Sequence, residues 1–283
     1  MKPEFIFIVP YRNRPEHKFF FSNYMTNLLG EKKYEIYFIH QHDARSFNRG
    51  AMKNIGFSSI KAKYPNDYKD MNLVFNDVDT LPFNDIFDYQ TSEGVVKHYY
   101  GFTHALGGIV VIKGGDFEKI NGFPNCWGWG SEDTSLQKRC IQNGLKIDRS
   151  EFKCIGNPQI LQLFDGVERI INRSDYISVK YDISGKEGLL SLINVVYTID
   201  TESKNEKDNV HVVDNEKIFV VNVYHFLCGI NYDKTNIYRY DIRDSKKKII
   251  NPSARKLATQ VVTQSDDWKN IKYKSIQKPR SVF

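Results

Sequence analysis

The sequence predicts an α/β chain, with a central, mostly parallel sheet flanked by helices and a strand-rich C-terminal part. Three observations carry that prediction. Strand, helix, strand, helix and strand patterns succeed one another within about the first eighty residues. The strand candidates are short, continuous apolar runs, as expected where both faces of a parallel sheet are covered. The helical stretches carry spaced apolar residues, and the first ends on a glycine.

Element by element, FIFIV (Phe5 to Val9), bounded by Pro10, reads as the first buried strand. From Glu16 to Leu29 the apolar residues Phe19, Phe20, Tyr24 and Leu28 fit a helix, and Gly30 stops it. YEIYFIHQ (Tyr34 to Gln41) is the second strand, Arg49 to Ala62 the second helix, and NLVFNDVD (Asn72 to Asp79) a third strand ending in acids. Open sheets of this kind bind ligands beyond the carboxyl ends of their strands, where Pro10–Arg14 and Asp77–Asp79 fall. A strand at Gly108 to Ile112 follows. Next come a loop rich in glycine and tryptophan, Gly122 to Gly130, and a helix from Glu132 to Asn143 closed by Gly144. Beyond residue 175 the runs YISVKYDI, LINVVYTI, NVHVVD and KIFVVNVYHF are strand-like, with a polar loop from Asp200 to Asn209.

Hydrophobic residues at 41% and aromatics at 14% support a large core, and the 26% of charged residues have both signs interspersed, which excludes a disordered chain. The net charge of +6 favours anionic ligands such as nucleotide diphosphates, nucleic acid or a membrane surface, or is ordinary solubility charge. Much of the excess lies near the C-terminus, from Lys246 to Arg280, away from a central site. Cys126, Cys140, Cys154 and Cys228 form no CxxC pair, so neither a zinc knuckle nor a disulfide scaffold is indicated, and free thiols in a reducing compartment are expected. The apolar run at Phe5 to Val9 is too short for a signal peptide or anchor. The expectation is a soluble chain that starts in its first core strand.

Two motifs carry chemistry. Asp77-Val78-Asp79 closes a hydrophobic strand, and carboxylates one residue apart on a strand project the same way. They repel unless a cation or donor joins them, and a divalent metal bridging a nucleotide-sugar diphosphate supplies that charge. Exposed acids after a strand also form solvated turns or helix caps. In WGWGSED (Trp127 to Asp133), two tryptophans on a glycine-rich backbone suit stacking on a sugar ring or closing a lid, or else pack in the core. Glu132 and Asp133 suit a helix N-terminus as well as catalysis.

Four blocks together resemble the β-1,4-galactosyltransferase family, in order and spacing: VPYRNRPEH (Val9 to His17), FNRGAMKNIGF (Phe47 to Phe57), VFNDVDTLP (Val74 to Pro82) and GGIVVIKGGDFEKINGFPNCWGWGSED (Gly107 to Asp133). The likeness covers roughly residues 5 to 150, with a fainter echo in GLLSLINVVYTI (Gly188 to Ile199). It implies a GT-A type fold and inverting transfer of a hexose or N-acetylhexosamine from a UDP-sugar to a hydroxyl of a carbohydrate or glycoconjugate. Residues 1–223 would form the catalytic domain and 224–283 a C-terminal extension of unassigned role. By motif position, Pro10, Arg12, Arg14, Phe47 and Arg49 would hold uridine and diphosphate, since guanidinium forks suit phosphate oxygens. Asp77 and Val78 would contact the donor, Gly107 and Gly108 would let backbone approach it, and Trp129 would line the sugar site. Asp79 would ligate a divalent metal, with Mn2+ expected. Asp133 would be the general base, with Glu132 orienting sugar hydroxyls.

The sequence also departs from that family. IGNPQILQLFD (Ile155 to Asp165) lacks the histidine that usually gives a second metal ligand. Three explanations stay open: fewer protein ligands, replacement by His211, His225 or Asp165, or weak metal dependence. Ala105 stands where the galactose enzymes carry a tyrosine, which enlarges the pocket near the sugar's second carbon and predicts tolerance of N-acetylated donors. With no membrane anchor and a composition rich in Asn, Lys, Ile and Tyr, the expectation is a bacterial or large-virus enzyme working in the cytosol. The competing readings are a carbohydrate- or nucleotide-binding protein with weak or no turnover, and a nucleic-acid binder using the basic tail. The second is disfavoured because that tail has few interleaved aromatics and no known module.

Overall fold

In the computed structural model of the chain, residues 2–172, 175, 185–201 and 216–243 are described. Contacts divide the chain into Met1–Arg239, which holds the whole site, and Tyr240–Phe283, of which only 240–243 are described. The strand predictions at 176–183 and 209–214 lie outside the described residues, as does His211.

The first half alternates as predicted: β1 (Phe5–Tyr11), α1 (Pro15–Leu29), β2 (Tyr34–Gln41), α2 (Arg49–Lys63) and β3 (Asn72–Asn76). β1 pairs in parallel with both β2 and β3. Its alternating residues face two cores. Phe5, Phe7 and Val9 join Phe21, Met25 and Leu29 of α1, whereas Ile6 and Ile8 join Ala51, Met52, Ile55 and Ile60 of α2. Each such buried aliphatic or aromatic side chain stabilises by about 1.5–3 kcal/mol. Gly56 is where α2 meets the sheet, and a Cβ there would collide with Ile8 and Ile39.

The remaining elements extend this sheet. β4 (Thr80–Pro82), β5 (Val95–Gly101), β6 (Ile109–Lys113), α3 (Gly114–Lys119), α4 (Glu132–Gln142), β7 (Lys146–Asp148), β8 (Lys153–Cys154), β9 (Ile160–Gln162) and β10 (Glu168–Asn172) come next. β11 (Ile193–Thr201) and β12 (Ile218–Leu227) follow. The main sheet runs β11-β12-β2-β1-β3-β6-β5-β7, with β8 also on β5, while β4 and β9 pair separately. β12 lies parallel to β2 through Val223, so the sequence boundary at 223/224 falls within this strand.

One expectation about geometry is corrected. The third strand stops at Asn76, and Asp77–Asp79 form a turn. The Asn76 amide donates to the carbonyls of Asp77 (2.8 Å) and Thr80 (2.8 Å), and Thr80 N–H donates to Asp77 O (3.1 Å). These bonds satisfy the backbone groups that a continuing strand would otherwise have paired. The two aspartates therefore do not project from one strand face, and each meets different partners.

Candidate active site

Beyond the carboxyl ends of β1 and β2 lies a cavity of about 370 Å³. Of the residues expected to hold a donor, Arg12, Arg14, Phe47, Arg49 and Trp129 line it. Local bonds explain why they gather there. Asn48 caps α2 by accepting from Ala51 N–H (2.9 Å), and its own N–H donates to the Gln41 side chain (2.8 Å). The cap therefore ties the start of α2 to the end of β2 and sets Arg49 in the wall. Arg49 lies over the Phe47 ring at 4.9 Å. Phe47 O accepts from Gly128 N–H (3.0 Å), which brings the tryptophan loop across the cavity. Arg12 donates to the carbonyls of Asp43 (2.9 Å) and Arg45, pinning the loop after β2.

The two tryptophans divide their roles. Trp129 lines the cavity, and its N–H bonds Ile170 O (2.6 Å). Trp127 is a core residue, 2% exposed and stacked on Phe226 at 5.3 Å, with its indole N–H on Ile230 O (2.8 Å). Three further wall residues, Arg45, Arg169 and Tyr232, lie outside the sequence-predicted set. Arg45 comes from a loop and the other two from beyond the resemblance, so no local pattern marked them.

A second group consists of acids. Lys53, one helical turn after Arg49, donates from Nζ to Asp133 Oδ1 at 2.9 Å. Burial pushes the Asp77 carboxyl up to about 6; Lys53 opposes this, and Asp133 and Asp79 reinforce it. Burial raises Asp133 as well, with Lys53 again opposing and Glu132 adding to it. Burial alone would lower Lys53, but Asp133, Asp77 and Glu132 outweigh it and raise the ammonium above its ordinary value. Glu132 is 4% exposed, and its Oε2 has no hydrogen-bond partner among the described residues. Gly107 borders the group, because a Cβ there would strike Asp133 Oδ2. Gly108 has φ +76° and presses on the Tyr100 carbonyl, a position that only glycine fills without strain. Pro10, on β1, and Val78, in the turn after β3, are buried, and neither they nor Asp77, Gly107 and Gly108 line the cavity.

Asp79 belongs to a third cluster. Its Oδ2 and Asp165 Oδ2 each accept from one Arg14 guanidinium at 3.0 Å, and Asp165 Oδ1 accepts from Arg169 at 2.7 Å. Gln162 holds the turn by donating to Asp79 O at 3.2 Å. Among the described residues, no group of three or more His, Cys, Asp or Glu is gathered to hold a metal. Asp79 and Asp165 are nevertheless two carboxylates turned on one cationic centre, an oxygen donor set that fits a hard divalent ion. His225, on β12, is exposed.

Arg49 joins the cavity to the acids, since it lines the wall and its charge acts on both Asp77 and Asp133. Arg14 joins the same wall to Asp79. Lys53 likewise links the acid after β3 to those that begin α4, bonding Asp133 directly and acting on Asp77 by its charge.

Known proteins match this chain. The sequence profile described as the N-terminal region of glycosyl transferase group 7 matches residues 2–92, and that described as the N-terminal domain of galactosyltransferase matches residues 91–161. Mouse beta-1,4-galactosyltransferase 1 is 35% identical over 154 residues, which cover 50% of this chain and 38% of the mouse protein. The xylosylprotein 4-beta-galactosyltransferase of Caenorhabditis elegans is 32% identical over 187 residues, 62% of each chain. The chain therefore spans less than two thirds of the length of these relatives. Among solved structures, the catalytic domain of Drosophila beta1,4-galactosyltransferase 7 with xylobiose superposes with a TM-score of 0.61 at 23% identity, covering 81% of this chain and 96% of that one. A mutant of that enzyme, solved with manganese, UDP-Gal and xylobiose, gives the same TM-score at 22% identity. The fold is thus of the GT-A galactosyltransferase type. The relatives named are animal proteins and lend no support to the microbial source and cytosolic location expected from composition. No described helix is long and apolar enough to cross a membrane.

Proposed function

This chain belongs to the group 7 glycosyltransferases, the family of the β-1,4-galactosyltransferases, and from that premise we propose that it moves a sugar from a UDP-sugar to a carbohydrate hydroxyl with inversion. The observation that carries the proposal is that Arg49 lines the arginine-rich cavity and its charge also acts on Asp77 and Asp133, two of a partly buried group of acids.

In this reading the donor's diphosphate lies among Arg12, Arg14 and Arg49, with Phe47 and Trp129 offering flat faces to its rings. Asp133 takes the proton of the acceptor hydroxyl as that oxygen attacks the anomeric carbon from the face opposite UDP. A carboxylate raised by burial is a stronger base than an exposed one, closer to the working pH. Glu132 Oε2, buried without a partner among the described residues, accepts a hydrogen bond from a sugar hydroxyl. Asp77 contacts the donor from the turn after β3, with Val78 behind it and the Gly107–Gly108 backbone opposite. Asp79 and Asp165 are the residues that would hold a divalent ion, Mn2+ being the candidate. When bound, that ion supplies positive charge to the leaving diphosphate. The arginines do the same from the cavity wall and help exclude water.

The small side chain of Ala105, at the position where the resemblance places a tyrosine, is the ground for a donor with an N-acetyl group at the second carbon, such as UDP-GalNAc or UDP-GlcNAc. The acceptor is a sugar or glycoconjugate. Since Tyr232 lines the cavity and β12 runs across the boundary expected at 223/224, the transferase takes in residues beyond 223.

The test is UDP release from a panel of UDP-sugars with simple sugar acceptors, with and without manganese. Asp133→Asn is expected to reduce turnover by about 10²–10⁴-fold while UDP still binds, because the base acts on the acceptor. A fully active variant removes Asp133 from the mechanism. Absence of UDP release from every donor removes the transferase reading, and strict use of UDP-galactose removes the role given to Ala105.

A further inference from the structure

Lys53 is a cation in a place where a helix facing a core normally carries an aliphatic residue. Its neighbours on α2, Ala51, Met52 and Ile55, are all in the core, and its own side chain is 3% exposed against 27% for its partner Asp133. A long ammonium side chain is rarely buried unless it is paired. Here Nζ is held between the Phe123 ring, whose centroid is 4.4 Å away, and Asp133 Oδ1 at 2.9 Å. The pair is asymmetric: the lysine is sealed beneath the site and the aspartate opens towards it. Oδ2, the other oxygen, accepts no hydrogen bond from the described residues and lies against Gly107.

We propose that Lys53 is the positioning residue of the site's base. It fixes Asp133 through Oδ1, leaves Oδ2 free to receive the acceptor's proton, and supplies the charge that lets Asp77, Glu132 and Asp133 share one site. The assignment of Asp133 as base rests on the transferase reading; the pairing and its electrostatic effect do not. The charged groups acting on Asp133 are Lys53 and Arg49 from α2, Glu132 beside it on α4, and Asp77 from the turn after β3. His98 lies behind Gly107, bonded to its carbonyl at 3.1 Å. Lys53 alone among these bonds the carboxylate directly, so its removal leaves Asp133 partly buried beside Glu132 and Asp77, with Arg49 opposing them from further along α2. The proton then binds Asp133 more tightly, and the base is lost at a higher pH.

The experiment is a ¹³C NMR titration of aspartate carboxyls in the full chain without donor or acceptor, using Asp133→Asn to identify the Asp133 signal. In Lys53→Met the Asp133 titration is expected to move upward by about 1–3 units, the range for losing a close opposite charge. In Lys53→Gln, which keeps an N–H donor without the charge, it moves in the same direction. An unchanged titration in a folded Lys53 variant overturns the proposal. If neither variant folds, the reciprocal measurement decides: the Lys53 ¹³Cε titration in Asp133→Asn is expected to move down, and an unmoved lysine overturns the proposal equally. In active enzyme, the acid limb of the kcat/KM profile of Lys53→Met moves with the NMR value while the KM for donor stays within about twofold. These titrations need no turnover. A chain that transfers no sugar but shows the shift therefore refutes the transferase reading alone.

Discussion

Gly107 is a glycine because of the acid beside it. The space a Cβ would take is already occupied by Asp133 Oδ2, so Gly107→Ala must push the carboxylate away from its contact with Lys53 or shift the backbone. A displacement of about 1 Å in a catalytic group lowers rates by about 10²-fold. We expect Gly107→Ala to lose turnover on that scale while UDP binding and Tm stay close to wild type, as measured by UDP release, calorimetric titration and thermal melts. Near-normal kcat would show that the position of Asp133 does not matter. Asp133 and Glu132 were legible in the sequence because they close a distinctive motif, and Asp79 because it ends a strand-like run. Lys53 was not. A single lysine within Ala51–Ile55 resembles an exposed helix position until the partner on α4, eighty residues away, is placed over it.

At the level of elements, the strands and helices that the sequence predicts up to α4 agree with the structure to within a few residues, since continuous apolar runs and glycine stops are local features, whereas β4, β5 and α3 have no such signal and are absent from the prediction. The turn at Asp77–Asp79 was misread as strand because its cause is the Asn76 side chain, which composes with the strand pattern and gives no break in hydropathy. The β5–β6 connection shows how such a turn is secured. Neutral His98 donates from Nε2–H to the carbonyls of Tyr100 (3.0 Å) and Gly107 (3.1 Å), and its Nδ1 accepts from Arg149 Nε (3.0 Å). A proton on Nδ1 would face the arginine's N–H, and burial first, then Arg149, depress the imidazole to about 4 from 6.5. A depressed histidine contributes stability that is complete above the unfolded value and lost as pH falls through the folded one. The window is therefore pH 6.5 down to 4, and the full effect is about 3 kcal/mol. Urea denaturation across this range should show His98→Gln losing less stability than wild type. A difference between the two that stays constant from pH 7 to 4 would mean that the histidine is protonated as easily folded as unfolded.

For the molecule as a whole, the site is assembled from segments whose proximity no local pattern encodes. β12 lies parallel to β2 although some 180 residues separate them, and Tyr232 beyond it reaches the cavity wall. Arg14 at the start of α1 meets Asp165 of the loop after β9, 151 residues later. Sequence motifs identified the two ends of the cleft but not this closure, because strand partners far apart in the chain are chosen by the packed sheet. The closure has a measurable consequence. A ligand that binds only the assembled cavity stabilises the fold by about 2.7 kcal/mol at a hundredfold excess over its Kd, which raises Tm by about 5 °C or more in a chain of this size. UDP should do so alone, through the arginines. If Asp79 and Asp165 also take a divalent ion, manganese should add a further rise in the presence of UDP. Asp165→Asn should remove that manganese increment and leave most of the UDP effect, because Arg12 and Arg49 do not depend on Asp165. An increment of equal size in Asp165→Asn would assign the ion to Asp79 with other partners, and no stabilisation by UDP at any concentration would mean that the arginine-lined cavity is not a nucleotide site.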